Sequence, residues 1–352
     1  MLKANAFSLT PAELESLGLK ASVFAALQRP WRWEPAGPVL ASGARAILSE
    51  LGCELPALIS GDPSSDGATK LLLDLGGERI EAVHMPRAVG NGRVTLCISS
   101  QVGCAMGCRF CATASMGFRR QLSAGEIVTQ VLSVVRALGP RHPGDLTLVF
   151  MGMGEPLHNL PEVSKAIAIL CDPLGMGMSP RRITVSTSGL VPEIGQLGRL
   201  LVKPLLAVSL NATTDEIRSD LMPIGRRYPL AELALALHNF PLRPRERITL
   251  EYVLLAGIND SPKDAVRLAA FAEPLSCHIN LIPFNEHAHA PFRAPSERRT
   301  DEFFREVVAA GSTLVTVRHS RGRDVQGACG QLVQLHPAPK RTFASQPTQS
   351  SN

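Results

Sequence analysis

Three cysteines fall within a stretch of eight residues, Cys104-Ala-Met-Gly-Cys108-Arg-Phe-Cys111. Three thiolates on one short loop can bind three corners of a cubane iron–sulfur cluster. The fourth iron then lacks a protein ligand and is open to a small molecule. Structural zinc is the competing chemistry, but it wants four ligands in paired motifs, and no partner pair lies nearby. A fourth cysteine, Cys329, stands between Ala328 and Gly330 and follows the charged run Arg321 to Asp324. Core cysteines sit in apolar runs, whereas small neighbours and nearby charge suit an accessible, reactive thiol. Cys97 closes the run Val-Thr-Leu-Cys and on its own reads as a strand-core residue. Cys53, Cys171 and Cys277 read as core.

These residues need a frame, and the pattern around them supplies one. Short β-branched runs at 94–97, 146–152, 183–188, 205–211, 248–255 and 278–284 alternate with amphipathic stretches near 123–138, 161–171, 190–202, 214–222, 230–240 and 262–273. Ser123-x-x-Glu126 and Thr213-x-x-Glu216 have the form of capping boxes, and Ser261-Pro262 that of a cap with a first-turn proline. Such alternation predicts an α/β fold with a parallel sheet covered by helices. Six repeats suit an open, partial (β/α)6 barrel better than a closed eight-fold one. A seventh run, 314–318, follows a further helix near 296–310.

Polar and special residues gather just after the strands: Cys97 with the cysteine group, Gly152 to Pro156, Ser186 to Gly189, Ser209 to Asn211, Asn259-Asp260 and Asn285. In parallel α/β folds those loops share one mouth, where ligands bind. Serine hydroxyls and asparagine amides suit ribose and adenine edges; strand-end capping is their ordinary use.

The flanking segments are plainer. Thr10-Pro11-Ala12-Glu13 predicts a capped helix, 43–52 a second one, and 62–67 a turn before two hairpin strands around LLLDL and RIEAVHM. The segment after 331 is rich in Pro, Gln and Ser and reads as a frayed tail. The 352-residue chain is 45% hydrophobic and 19% charged, a globular composition. It has no uninterrupted apolar run of about 18 residues, and its N-terminus turns polar too early for a secretory signal. Eight cysteines in such a chain point to a reducing compartment, by default the cytoplasm. A net charge of +5 is mildly basic, compatible with a nucleic-acid partner but far from general coating.

The CxxxCxxC loop after the first barrel strand resembles the radical S-adenosylmethionine (SAM) superfamily, and Met153-Gly154-Glu155-Pro156 resembles its GEP motif. The segment Arg321-Gly-Arg-Asp324-Val-Gln-Gly-Ala328-Cys329-Gly330-Gln-Leu332 is similar to the C-terminal signature of one subfamily, the radical SAM adenine methyltransferases of ribosomal RNA (RlmN/Cfr type). TLCISSQVGC, TASMGFRRQLSAGEIVTQV, FMGMGEPLHN, ITVSTSG, AVSLNATTDEIRSDLMPI and INLIPFN match in order, over 78–332.

The resemblance implies a [4Fe–4S] cluster on Cys104, Cys108 and Cys111, and two equivalents of SAM per turnover. It implies cofactor contacts at Gly154, Glu155, Ser186, Ser209, Leu210, Asn211 and Asn285, although some relatives carry histidine at the Asn211 position. The chemistry has a physical logic: an adenine ring C–H carbon is electron-poor and cannot attack a methyl sulfonium, whereas a thiolate can. In the implied scheme Cys329 is first methylated by displacement. A second SAM yields the 5′-deoxyadenosyl radical, which abstracts hydrogen from the S-methyl group, and the thiomethylene radical adds to the base. Glu81 matches the proton acceptor; otherwise it reads as part of a solvated strand face. Cys97 matches the residue that attacks Cys329, forming a transient disulfide and releasing the product.

The expected organisation is an accessory, RNA-binding segment at 1–75, an adaptor hairpin carrying Glu81 at 76–93, the radical SAM barrel at 94–311, a strand and methyl-carrier loop at 312–334, and a tail at 335–352. The expected partners are 23S rRNA at carbon 2 of adenine 2503, with tRNA adenine 37 as a second substrate, and an electron donor such as flavodoxin or ferredoxin. A monomer without membrane contact is expected. Arginine pairs at 119–120, 181–182, 226–227 and 318–323 are candidates for gripping RNA around one unstacked adenine. Three alternatives stand beside this reading: methylation at carbon 8, a radical SAM oxidoreductase or activase without methyl transfer, and a non-enzymatic metal-bound RNA-binding protein.

Overall fold

The structure is a computed structural model, and it describes residues 5–34, 37–87, 93–139, 143–332 and 341–342. The expected tail, apart from its two residues in strand, and part of the turn before the first barrel strand lie outside the described residues.

Three short helices open the chain: α1 (Pro11–Ser16), α2 (Ala21–Leu27) and α3 (Ser42–Ser49). Strands β1 (Ala57–Ser60), β2 (Thr69–Asp74) and β3 (Arg79–Pro86) follow, each antiparallel to the next. β3 then pairs antiparallel with β4 (Val94–Cys97), the first barrel strand. A two-stranded hairpin, β5 (Gln101–Gly103) and β6 (Phe118–Gln121), brackets the cysteine loop.

From there strand and helix alternate as expected. Helix α4 (Ala124–Leu138) leads to β7 (Leu146–Phe150), α5 (Leu160–Cys171) to β8 (Ile183–Thr187), and α6 (Val191–Gly198) to β9 (Leu205–Ser209). Helices α7 (Asp215–Leu221) and α8 (Leu230–His238) precede β10 (Ile248–Leu254). Helix α9 (Pro262–Ala272) precedes β11 (Cys277–Pro283), and α10 (Glu297–Ala310) precedes β12 (Leu314–Val317). A last short strand, β13 (Arg341–Thr342), pairs with β1.

All these strands except β5 and β6 form one sheet, in the order β12-β11-β10-β9-β8-β7-β4-β3-β2-β1-β13. The pairs from β4 through β12 are parallel, so the open α/β architecture is present, with β12 as a seventh parallel strand. The hairpin carrying Glu81 begins at Thr69 and continues the same sheet. One apolar core runs from Ala6 and Phe7 through Leu71, Ile80 and Leu148 to Phe303 and Leu332.

The helix starts have clear local causes. Ser123 Oγ accepts from Glu126 N at 3.3 Å, and the Glu126 carboxylate accepts from Ser123 N at 2.8 Å. Thr10 with Glu13 and Ser261 with Asp264 make the same reciprocal box. Helix α7 departs from expectation: its cap is Thr214. Thr213 instead donates to Asp264 at 2.8 Å and accepts from Arg267 at 2.9 Å, tying α7 to α9. The threonine next in line has the extended backbone a cap requires.

Candidate cluster and cofactor cleft

A cleft of about 870 Å³, counted out into its open mouth, lies at the carboxyl ends of the parallel strands. Cys104, Cys108 and Cys111 line it from the loop between β5 and β6, whose base is closed by Cys104 N donating to Gly117 O at 3.0 Å. Burial pushes the Cys104 thiol up to about 12, and it also raises Cys108 and Cys111. Among the described residues no three His, Cys, Asp or Glu side chains converge on a single-ion site. A cubane makes no such demand, because its three ligand sulfurs bind three different irons.

The turn after β7 supplies further lining through Gly152, Gly154 and Glu155. Gly154 has φ +99°, and a Cβ there would lie 2.5 Å from Gln101 Cβ, so only glycine lets the turn pack on β5. Gln101 Oε1 accepts from Glu155 N at 2.8 Å, and the Glu155 carboxylate accepts from Leu157 N at 3.1 Å and Ser188 N at 2.7 Å. Burial raises the Glu155 carboxyl, against the hydrogen bonds from Ser188.

Of the other expected cofactor contacts, Ser186, Ser209, Asn211 and Asn285 line the same cleft. Ser186 Oγ lies 3.3 Å from Glu251 Oε2. Asn211, at φ +54°, accepts from Val253 N at 2.8 Å, the work of a strand-end cap. Leu210 does not reach the cleft: its side chain is core, and its N–H donates to Glu251 O at 2.9 Å. Asn285 Nδ2 donates to Ser320 Oγ at 2.9 Å and to the Cys329 carbonyl at 3.0 Å, so it anchors the second reactive loop.

Cys329 belongs to two chambers. It lines the cleft with the three cysteines, and it also lines a smaller adjoining pocket with Cys97, Met85, Met151 and Arg318. Cys97 and Cys329 are free thiols. Burial raises both, and the Arg318 cation pulls both back toward ionisation. Arg318 in turn is held protonated chiefly by Cys329, and its Nη1 lies 3.5 Å from Glu251 Oε1. The loop is clasped from the accessory side: Asp324 accepts from Ser64 Oγ and from Ser65 N at 3.0 Å, while Gly322 N donates to Asp66 at 2.8 Å.

Glu81 stands apart from this cluster. It lines neither chamber, is fully buried on β3, and pairs with Lys70 at 3.1 Å. The solvated strand face is thus not its setting. The arginine pairs also divide. Arg181 and Arg182 precede β8 and so lie at the amino end of the sheet, opposite the mouth. Arg120 is engaged by Glu78 and Glu126, Arg318 by Glu251, and Arg321 by the carbonyls of Pro86 and Asp66. Arg119, Arg226, Arg227 and Arg323 are exposed.

Sequence reasoning missed Glu251 and the setting of Arg318. A carboxylate inside the apolar run ITLEYVLL was the one available signal.

An open parallel α/β sheet with three loop cysteines and a glycine–glutamate turn at its mouth defines a radical SAM protein. The profile of the radical SAM superfamily matches residues 98–269. The dual-specificity RNA methyltransferase RlmN of Syntrophobacter fumaroxidans is 50% identical, covering 82% of this chain and 83% of that protein. The protein of the same name from Pelobacter propionicus is 46% identical, covering 87% and 83%. A crystal structure of a radical SAM methyltransferase from Sphaerobacter thermophilus superposes with a TM-score of 0.83 at 40% identity, covering 93% of this chain and 98% of that one. The chain belongs to the RlmN family of radical SAM methyltransferases.

Proposed function

We propose that this chain methylates carbon 2 of an adenine in RNA, with 23S rRNA as the main substrate and tRNA as a second, and that Cys329 carries the methyl group. One observation carries the reading: a single thiol, Cys329, faces both the three-cysteine cleft and the pocket of a second thiol, Cys97. The names of the relatives from Syntrophobacter fumaroxidans and Pelobacter propionicus support the RNA substrate.

Cys104, Cys108 and Cys111 would hold a [4Fe–4S] cluster, and Glu155, Ser186, Ser209 and Asn211 would hold SAM. When bound, the pair supplies a hydrogen-abstracting radical by one-electron reductive cleavage. Cys329 takes up the methyl group as a thioether, helped by the Arg318 cation that favours its thiolate. After the carrier carbon has bonded to the base, Cys97 attacks the Cys329 sulfur. The sulfur–sulfur bond forms as the carbon–sulfur bond breaks, and the released methylene carbon takes the proton given up by the Cys97 thiol to become the methyl group of the departing base. The one surplus electron left by radical addition would return to the cluster held by Cys104, Cys108 and Cys111. The proton on the target carbon needs an acceptor. Glu81 would hold that role by family resemblance, and Glu251 is, beside Glu155, a second buried carboxylate on the cleft wall. Exposed Arg119, Arg226, Arg227 and Arg323 suit phosphate contacts, with residues 1–75 as an accessory RNA surface. We take the protein as a cytoplasmic monomer reduced by a flavodoxin or ferredoxin.

The test is anaerobic reconstitution followed by nucleoside mass spectrometry on unmethylated rRNA and tRNA. 2-Methyladenosine is expected, and none from Cys329→Ala; 8-methyladenosine would overturn the regiochemistry. Normal turnover by Cys329→Ala would overturn the carrier role.

A further inference from the structure

Arg218, on α7, is completely buried, yet only one of its nitrogens is hydrogen-bonded: Nη2 donates to Ser188 O at 2.6 Å. Among the described residues Nε and Nη1 have no hydrogen-bond partner, and no carboxylate stands within ion-pair distance. A buried guanidinium with two unpaired donors is strongly destabilising, so the fold carries a liability that something else must offset. The backbone makes room for it. Gly189 adopts φ +107°, and a Cβ there would lie 2.9 Å from Nη2.

Burial pushes the Arg218 guanidinium below its usual value, and Cys108 first and Asp215 second work against that. Geometry places the orphaned donors behind the cysteine side of the cleft. Cys108 packs in one apolar cluster with Ile217 and Leu221, the neighbours of Arg218 on α7, and Ser188, which accepts from Arg218, lines the cleft with all three cysteines. Three thiolates around an iron–sulfur core make an anion that becomes more negative with each electron. A buried cation stabilises the reduced form more than the oxidised form.

We propose that Arg218 is the built-in counter-charge of the cluster on Cys104, Cys108 and Cys111, raising its reduction potential so that a low-potential one-electron donor can reduce it. The proposal rests on the cluster reading above. It assigns Arg218 a tuning role behind the cluster, with no contact to RNA or to the reacting carbon.

The experiment compares full-length wild type, Arg218→Met and Arg218→Lys after anaerobic reconstitution. Iron and sulfide are quantified first, and the cluster midpoint is then followed by electron paramagnetic resonance during dithionite titration. Arg218→Met should load a full cluster with a midpoint shifted to more negative potential, and Arg218→Lys should recover most of the shift. Without a cluster, Arg218→Met should melt at or above the wild-type temperature, because an uncompensated charge is gone. An unchanged midpoint in loaded Arg218→Met, or an apo variant melting well below wild type, would overturn the proposal. Arg218→Gln is the second neutral variant should methionine fail to load. Absence of iron and sulfide from wild type itself would overturn the cluster reading, an outcome told apart by the first measurement.

Discussion

Arg318 joins three groups that have little reason to meet: Cys97, Cys329 and Glu251. A thiol that must act as a nucleophile needs a nearby cation more when it is buried, and here burial works against ionisation of both cysteines. Arg318→Met should slow methyl uptake by Cys329 severalfold or more, because the thiolate loses its neighbouring cation. Intact-protein mass spectrometry after timed exposure to SAM reads this directly, and Arg318→Lys should retain more of the rate. The two candidate proton acceptors separate by the same logic. If Glu81 accepts the proton, Glu81→Gln should stall after the RNA adduct forms, while Glu251→Gln should alter the earlier uptake of methyl through Arg318. The reverse pattern would transfer the role to Glu251. The cluster cysteines and Cys329 were legible because spacing and small neighbours leave a local trace. Glu251, Arg218 and the setting of Arg318 were not, because a buried charge is recognisable only once the groups around it are in place.

At the scale of elements, the capped helices were read to within a residue or two, since Ser123, Thr10 and Ser261 carry their own start signals. β1 and the hairpin β5–β6 were missed. Their strands are three or four residues long, and Phe118–Gln121 is largely polar, so neither periodicity nor β-propensity marks them. Yet that hairpin positions the site, because Gln101 holds the Glu155 backbone and Gly154 packs against it. Gly154→Ala should cost about 1–3 kcal/mol in stability from the left-handed backbone alone. It should also weaken SAM binding, checked by thermal melting and calorimetric titration of the reconstituted enzyme. The clasp between the 62–67 turn and the Cys329 loop gives a second outcome. Asp324→Ala removes the acceptor for Ser64 and Ser65, so limited proteolysis should cut near residue 325 faster than in wild type.

Across the whole molecule the parallel array was legible from alternation, and its fusion to the N-terminal strands had a local trace that went unread. β3 and β4 are consecutive strands paired from Pro86–Val94 to Val83–Cys97, and Asn91-Gly92 between them is a hairpin signal. The continuous core makes stability a shared property of both parts, and buried His84 on β3 reports on it. Burial first, and then Arg321, hold its pKa below the usual histidine value. Its unfolded form therefore binds a proton first as pH falls, and the stability it contributes is lost on acidification below about 6.5. The drop in melting temperature from pH 7.5 to 5.5 should be smaller in His84→Gln than in wild type.

The thiol shared by two chambers also has a consequence for accounting by isotope. If Cys329 is the carrier, as proposed, one sulfur per chain stores one methyl equivalent, acquired before RNA is met. Under the proposed scheme, pre-methylated protein given isotopically labelled SAM releases its first product from each chain unlabelled, and the label enters only from the second. On that scheme the molecule keeps a memory one turnover deep, held in Cys329.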